Sequence, residues 1–380
     1  VCSSDLKNKL LLFSTSCLML ISSLVSPASY AQGTDKDNAP VYKKALPGYK
    51  FKFPEDHYSH DDFKTEWWYY TGHLKAKDGR RFGFELTFFR TGSDYKPKVA
   101  KTPWSLDNFY LAHFALTDEQ GKTFKYYEKL NRKGLNFATA RQDAYYVFNE
   151  GWSVVKLGDK YVLKADAKDY SINLLLSSVK PPVVHGKDGV SQKASCVGCA
   201  SHYYSMSRLK AEGLVFIKDK PVEVTGQAWM DHEFGSNQLT KEQTGWDWYS
   251  IQLAGNRELM LYVMRREDGT LEKQSSGTLV LPDGTSKHLG LSDFTIAKTG
   301  TWTSPKTKGV YPMGWKITVP SEKLDLTLTP LLKDQELTTE RSTGVSYWEG
   351  AVDVSENGAK PSGEGYVEMT GYSEKFAKKL

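Results

Sequence analysis

The sequence predicts an all-β protein made of two related barrel-like halves behind an N-terminal export segment. Three observations carry that expectation. Short runs with apolar residues at every second position recur along the chain, divided by Asp-Gly and similar turn signals. Aromatic residues make up 13% of the 380 positions, including 22 Tyr and 10 Trp, which suits sheets with an apolar interior. Patterns that open and close one such unit reappear, in the same order, in the second half.

In the export segment, Lys7 and Lys9 precede an apolar run from Leu10 to Val25. Ser29-Tyr30-Ala31 puts small residues at both cleavage-determining positions. Residues 1–31 are therefore expected to be a signal peptide, cut near Ala31, that delivers the protein to the periplasm or the extracellular space. Residues 1–6, which begin with Val, are set aside, an artefactual start being one reading of them. The run is too short and Ser-rich to span a bilayer, and no membrane span is expected in the mature form. Residues 32–48 are polar, with Pro40 and Pro47, and read as an exposed leader. The net charge of +5 comes from 50 basic and 45 acidic residues without a basic stripe, which argues against nucleic acid as a partner.

The strands follow in order. Trp68 to Leu74 alternates, Lys77-Asp78-Gly79-Arg80 makes a turn, and Arg81 to Arg90 returns with Phe82, Phe84, Leu86 and Phe88 on one face. The same grammar recurs at 160–163, 172–176, 214–217 and 258–264, and again at 277–281, 315–319 and 324–328. No stretch sustains a 3.6-residue apolar period, so helices should be few and short. Trp68-Tyr69 is matched by Trp248-Tyr249, Ser201 to Tyr204 by Ser346 to Glu349, and Val222-Glu-Val-Thr-Gly226 by Val367-Glu-Met-Thr-Gly371. Ordered matches of this kind point to an internal duplication. Gly235 to Thr240 reads as a linker, which gives an N-terminal domain over 49–235 and a C-terminal domain over 236–380.

Cys2 and Cys17 fall in the signal region, leaving Cys196 and Cys199. In an oxidising compartment the plain reading of this C-x-x-C pair is a local disulfide. Zinc would need two further ligands, of which only His202 is near, and no βαβ pattern supports a redox role.

Four strings place acids and imidazoles among large aromatics. They are Glu66-Trp67-Trp68-Tyr69-Tyr70, Ser201-His202-Tyr203-Tyr204-Ser205, Ala228 to Gly235, and Gly245-Trp246-Asp247-Trp248-Tyr249. Strand alternation sends Trp229 and Asp231 to one face and Met230 and His232 to the other. An acid in an aromatic cavity has its neutral form favoured by desolvation and can deliver a proton near neutral pH. Aromatic faces can then stabilise the cation formed. The plainer alternative is that the aromatics fill a core and the carboxylates accept hydrogen bonds from indoles or turns. No G-x-S-x-G elbow and no phosphate-cradling glycine loop is present, and Asp231-His232-Glu233 alone is weak as a ligand set, so neither metal nor cofactor is expected.

These strings resemble the carotenoid 1,2-hydratase (hydroxyneurosporene synthase) family, and more closely its secreted AttH-like, predicted-hydrolase branch, over about Tyr49 to Tyr372. The residues carrying the resemblance are Glu66 to Tyr69, Cys199 to Ser205, Gly226 to Gly235, Trp246 to Trp248 and Gly363 to Tyr366. It implies two tandem lipocalin-like β-barrel domains. It also implies a cofactor-independent hydratase, lyase or hydrolase in which an Asp protonates an isoprenoid double bond. The matching acid is Asp231, with His202, Tyr204 and Trp229 as its catalytic neighbours. The residues expected to bind substrate are Glu66, Trp67, Trp68, Tyr69, Tyr203, His232, Trp246 and Trp248. Where the hydratases have a Trp near the His and a Tyr near the Asp, this sequence has Tyr204 and Trp229, which puts carotenoid specificity in doubt. The expected partner is an apolar or lipid-like small molecule. The alternative functions are a non-catalytic lipid carrier and an accessory protein of an envelope ABC-type transporter. Asp231, His202, Tyr204, Trp229 and Glu66 are expected to converge on one apolar cavity.

Overall fold

Period-two alternation becomes two antiparallel sheets in the structure, a computed structural model that describes residues 42–94, 105–237 and 239–374. The expected signal peptide, its cleavage site at Ala31, Cys2 and Cys17 lie outside the described residues, as does most of the leader. Among the described residues no helix is long and apolar enough to cross a membrane.

The first sheet begins with β1 (Thr65–Ala76), β2 (Arg81–Gly92), β3 (Asn108–Asp118) and β4 (Thr123–Arg132). Next come β5 (Ala138–Ala140), β6 (Tyr146–Asn149), β7 (Trp152–Leu157), β8 (Lys160–Asp166) and β9 (Tyr170–Ser178). Two short strands, β10 (Val183–Val184) and β11 (Ser191–Gln192), precede the long pair β12 (Ala200–Ile217) and β13 (Lys220–Asn237). The second sheet starts with β14 (Gln243–Leu253), β15 (Arg257–Arg266), β16 (Ser276–Val280), β17 (Ser286–Gly290) and β18 (Thr295–Lys298). A separate ribbon, β19 (Thr301–Thr303) and β20 (Val310–Pro312), leads to β21 (Trp315–Val319) and β22 (Leu324–Pro330). The chain ends in β23 (Glu336–Thr339), β24 (Val345–Glu356) and β25 (Gly363–Thr370). The described residues contain no α-helix, only three-residue 3-10 turns such as Glu55–His57. Gly235 to Asn237, read from sequence as the start of a linker, instead completes β13.

Each sheet curls around its own core, giving two lipocalin-like, barrel-like units. In the first, Phe82, Phe84, Leu86 and Phe88 point inward with Trp68, Tyr70, Tyr204 and Met230. Its free edges are stitched by side chains. Asn131 donates to Asn149 at 2.7 Å, and Asn149 donates to the Tyr110 carbonyl at 3.1 Å. The second unit encloses Tyr249, Trp315, Trp348, Val367 and Met369.

Strand order repeats between the sheets. The run β4-β3-β2-β1-β13-β12-β9-β8 of the first corresponds to β17-β16-β15-β14-β25-β24-β22-β21 of the second. The sequence matches fall on corresponding strands but not on corresponding positions. Trp68 lies in the first core, whereas Trp248 faces outward and Tyr249 inward. The equivalence that respects burial is therefore Tyr69 with Trp248 and Tyr70 with Tyr249, one residue from the sequence match. The two Val-Glu-x-Thr-Gly stretches sit at opposite ends of their strands, Val224 facing Ala76 but Val367 facing Tyr249. A slip of one residue exchanges inside for outside, so burial fixes the register more strongly than residue identity does. In that register Tyr69 faces Asp231 and Trp248 faces Glu368, which makes Asp231 and Glu368 counterparts.

The outer faces of the two sheets pack together, β1 against β25, β2 against β24 and β12 against β14. They approach each other closely at Gly83 on β2. A Cβ there would lie 2.6 Å from the Ala351 Cβ and 2.9 Å from the Tyr366 hydroxyl. Gly83→Ala should therefore lower stability by about 1–3 kcal/mol, because the sheets must part to admit one methyl group. Ala351→Gly should recover part of that loss in the double variant, measured by urea denaturation. Purely additive losses would mean that the contact is not what limits residue 83.

Candidate active site

Most of β1 and the segments Ala200–Ser207 of β12 and Ala228–Gly235 of β13 are buried on both faces, one toward the first core and the other toward the second sheet. Alternation therefore sorts the expected site residues into two groups. Asp231, Trp229, Tyr203 and Tyr69 face the second sheet and meet Trp248, with Trp67 and Trp246 packed against the same cluster. Glu66, Trp68, Tyr204 and His232 face the first barrel, and His202 lies with them beside Tyr49 and Phe234. The residues expected to converge are thus divided between the two faces of the sheet. Among the described residues, Asp231 and His202 share no hydrogen-bond partner, since adjacent parity on β12 and β13 points them apart.

Asp231 is the centre of the outward group. The Tyr203 hydroxyl donates to its Oδ2 at 2.6 Å, the Trp229 indole N–H to its Oδ1 at 2.6 Å, and the Ser205 hydroxyl also to Oδ1. Trp248 donates in turn to the Tyr203 oxygen at 3.1 Å. Burial pushes the Asp231 carboxyl up to about 7, against the pull of those three donors and with help from the Glu233 charge. Glu233 itself is paired with Lys193 at 3.0 Å, and the Lys193 ammonium lies 4.1 Å from the Tyr262 ring centre.

Further carboxyls share this dry region. Tyr69 donates to Glu349 at 2.5 Å and Trp246 donates to Glu368 at 2.9 Å. Thr87 donates to Glu85 Oε1 at 2.8 Å, while the buried Oε2 atoms of Glu85 and Glu349 have no hydrogen-bond partner. Desolvation raises Glu85 to about 7 and Glu368 to about 8. It also lifts Glu349 well above the carboxylate range, with the Glu85 and Glu368 charges adding to the effect. Burial thus favours the protonated form of each of these acids, which lie among indole and phenol groups.

The inward group is organised differently. Glu66 accepts from the Arg90 Nε at 3.0 Å, and ring nitrogens of His60 and His232 each lie 2.8 Å from its Oε1. Tyr204 bridges His57 and His232, at 2.6 and 3.1 Å. Burial alone would raise Glu66, but the hydrogen bonds from His232 and His60 and the Arg90 charge hold it well below the usual range. His60, Glu66 and His232 offer three potential ligand atoms within 4.8 Å of one another. The fully buried Arg90 guanidinium already supplies the cation for that carboxylate. His202 stacks on Tyr49 at 4.0 Å, and its Nδ1 lies 2.7 Å from the Gly189 carbonyl oxygen.

Cys196 and Cys199 are joined in a disulfide. Glu85, Glu349, Glu368, Ser205 and His185 belong to the outward group but were not expected from sequence. Ser205 and Glu349 stand at equivalent positions, opposite Asp231 and Glu368, and only the paired register reveals it. His185 comes from a loop-flanked short segment with no pattern to mark it.

The family model described as AttH-like matches residues 44–372. Among solved structures, an AttH protein from Nitrosomonas europaea is 32% identical, with a TM-score of 0.79, covering 87% of this chain and 99% of its own. Kievitone hydratase from Nectria haematococca is 15% identical with a TM-score of 0.66, covering 89% and 98%. CghA, solved with Sch210972, is 12% identical with a TM-score of 0.52, covering 88% and 97%. The last two likenesses are of fold. No match is found among curated proteins.

The Glu85 carboxyl has a folded-state value of about 7 against an ordinary 4.5. Its stabilising contribution is therefore complete below about pH 4.5 and is lost as pH rises to about 7, where ionisation in the folded state is disfavoured. Glu85→Gln should flatten that part of the stability profile by on the order of 2 kcal/mol. Urea midpoints at pH 5 and pH 8 test this. An unchanged difference between the two pH values would show that Glu85 does not carry it.

Proposed function

The chain belongs to the AttH-like family, and from that premise we propose that it is a cofactor-independent hydratase, with Asp231 as the acid that protonates an alkene of an apolar, isoprenoid or prenylated substrate. The observation that carries this reading is a carboxyl buried among Tyr203, Trp229 and Trp248, where burial favours its neutral form and aromatic faces stand beside it. Proton transfer breaks the Asp231 O–H bond and forms a C–H bond, leaving a carbocation beside the indole rings. Each such cation–π contact is worth about 0.5–2 kcal/mol in a dry site. Water then forms the C–O bond and releases a proton, so the acid is restored and no other reactant is consumed. The hydratase named among the structural relatives and the resemblance to carotenoid 1,2-hydratases agree with this chemistry. The signal-like N-terminus supports a reaction outside the cytoplasm.

Tyr69, Trp67 and Trp246 would line the substrate's path between the sheets. His202, Tyr204, Glu66, Trp68 and His232 would act through the barrel wall, by fixing β12 and β13 from the opposite side. A lipid carrier without turnover is the competing outcome. Incubation with an isoprenoid alkene in ¹⁸O-labelled water separates the two, since a hydratase gives a labelled alcohol. Asp231→Asn should lower turnover at least about a hundredfold while leaving affinity, followed by quenching of Trp229 and Trp248 fluorescence, within a few-fold. Because the protonated form is the active one, wild-type turnover should fall as pH rises through about 7. Labelled product formed equally well by Asp231→Asn would remove Asp231 from the mechanism.

A further inference from the structure

Asp231 is joined to a line of hydrogen-bonding groups that leaves the site on the side away from Trp248. Its Oδ1 accepts from the Ser205 hydroxyl. The Ser205 oxygen lies 2.6 Å from His185 Nε2, and His185 Nδ1 lies 2.8 Å from the Thr278 hydroxyl. Ser205, His185 and Thr278 are all buried. His185 is held in place by its backbone N–H, which donates to the Tyr203 carbonyl at 2.9 Å, and by its ring against Tyr203 at 4.3 Å.

Thr278 on β16 lies directly opposite His288 on β17. Such pairs bring Cβ atoms to about 5 Å, on one face of the sheet. His288 is only partly buried, but its Nδ1 is buried and has no hydrogen-bond partner. It is near enough for its charge to bear on His185. The hydrogen-bonded line therefore runs from a fully buried acid to Thr278, whose cross-strand neighbour His288 is partly exposed.

We propose that Ser205, His185 and Thr278 form a proton wire that reloads Asp231 from the solvent side at His288. The proposal rests on Asp231 being the proton donor of the preceding section. With Asp231 ionised, Ser205 donates to it, His185 Nε2–H donates to Ser205, and Thr278 donates to His185 Nδ1. A proton arriving at Thr278 lets each group pass one on. Thr278 gives its own to Nδ1, Nε2–H goes to Ser205, and the Ser205 proton goes to Asp231. The line then runs with opposite polarity, Asp231 donating to Ser205, Ser205 to Nε2, and Nδ1–H to Thr278. The Thr278 and Ser205 oxygens each gain one proton and lose one, His185 gains one at Nδ1 as it gives one up at Nε2, and Asp231 keeps the one delivered, so His185 changes tautomer without becoming charged. Burial, together with the Lys193 and His288 charges, holds His185 down to about 3, which keeps it neutral throughout. Lys193 and Glu233 face Asp231 from β12's approach and β13, and Lys187 and Asp293 face His288, so each end has its own compensating charges. His185 is thus a positioning residue that acts on Asp231 through Ser205.

The test needs no substrate. Nitrogen-15 NMR of the full chain labelled at histidine reads the tautomer of His185 between pH 5 and pH 9. The expected result is Nδ1–H at low pH and Nε2–H at high pH, without an imidazolium signal, with a midpoint that disappears in Asp231→Asn. Thr278→Val, which keeps the side-chain shape, should leave His185 in the Nε2–H form at every pH. One tautomer at all pH values in the wild-type protein, conversion to imidazolium, or a switch that persists in Asp231→Asn would overturn the wire. Failure of the hydratase reading is recognised separately, by turnover that survives Asp231→Asn, whereas a fixed His185 tautomer beside lost turnover condemns the wire alone.

Discussion

The structure depends on one constraint, which is that β1 and the adjoining halves of β12 and β13, Ala200–Ser207 and Ala228–Gly235, are buried on both faces. An ordinary half-exposed strand can send its polar residues to water. Here the outward face meets a second sheet, so Asp231, Glu233 and Ser205 are as deeply buried as Trp68 and His232 on the inward face. Each polar group must then find a partner inside the protein or change its ionisation. The two faces solve that problem in opposite ways.

Inward, Glu66 is matched by the Arg90 guanidinium and by donors from His60 and His232, and it stays ionised. Outward, Asp231 receives three neutral donors and no direct cation, since Lys193 is committed to Glu233. Both carboxyls are fully buried, so burial does not distinguish them. A cation within hydrogen-bond reach does. That contrast divides one cluster of conspicuous residues into a charge-paired group inside the first barrel and a carboxyl between the sheets whose neutral form is favoured.

The repeated strand order gives the interface an approximate two-fold character. Asp231 and Glu368 are counterparts, each receiving an indole N–H, from Trp229 and Trp246. Only the first carries a hydroxyl–imidazole line on its far side, because Ser205 corresponds to Glu349 in the second sheet. Two sheets of the same topology thus differ at the interface, Asp231 facing a serine on one and Glu368 facing a second carboxyl on the other.

The sequence by itself determined the all-β class, the strand runs around Phe82 to Phe88 and the separation of Trp229 and Asp231 from Met230 and His232. Those follow from a period of two residues, which is local and written along the chain. It also contained the duplication, although the matches quoted for it were one residue or a whole strand-end out of place, since identity between short strings carries no information about which face is buried. Only the tertiary structure decided that Asp231 and His202 serve different faces, because that depends on what covers each side of the sheet. The partnership of Asp231 with His185 and of Tyr69 with Glu349 was also decided there. Those contacts join residues far apart in the chain and arise where two separately patterned surfaces are pressed together, a relation that no periodicity records.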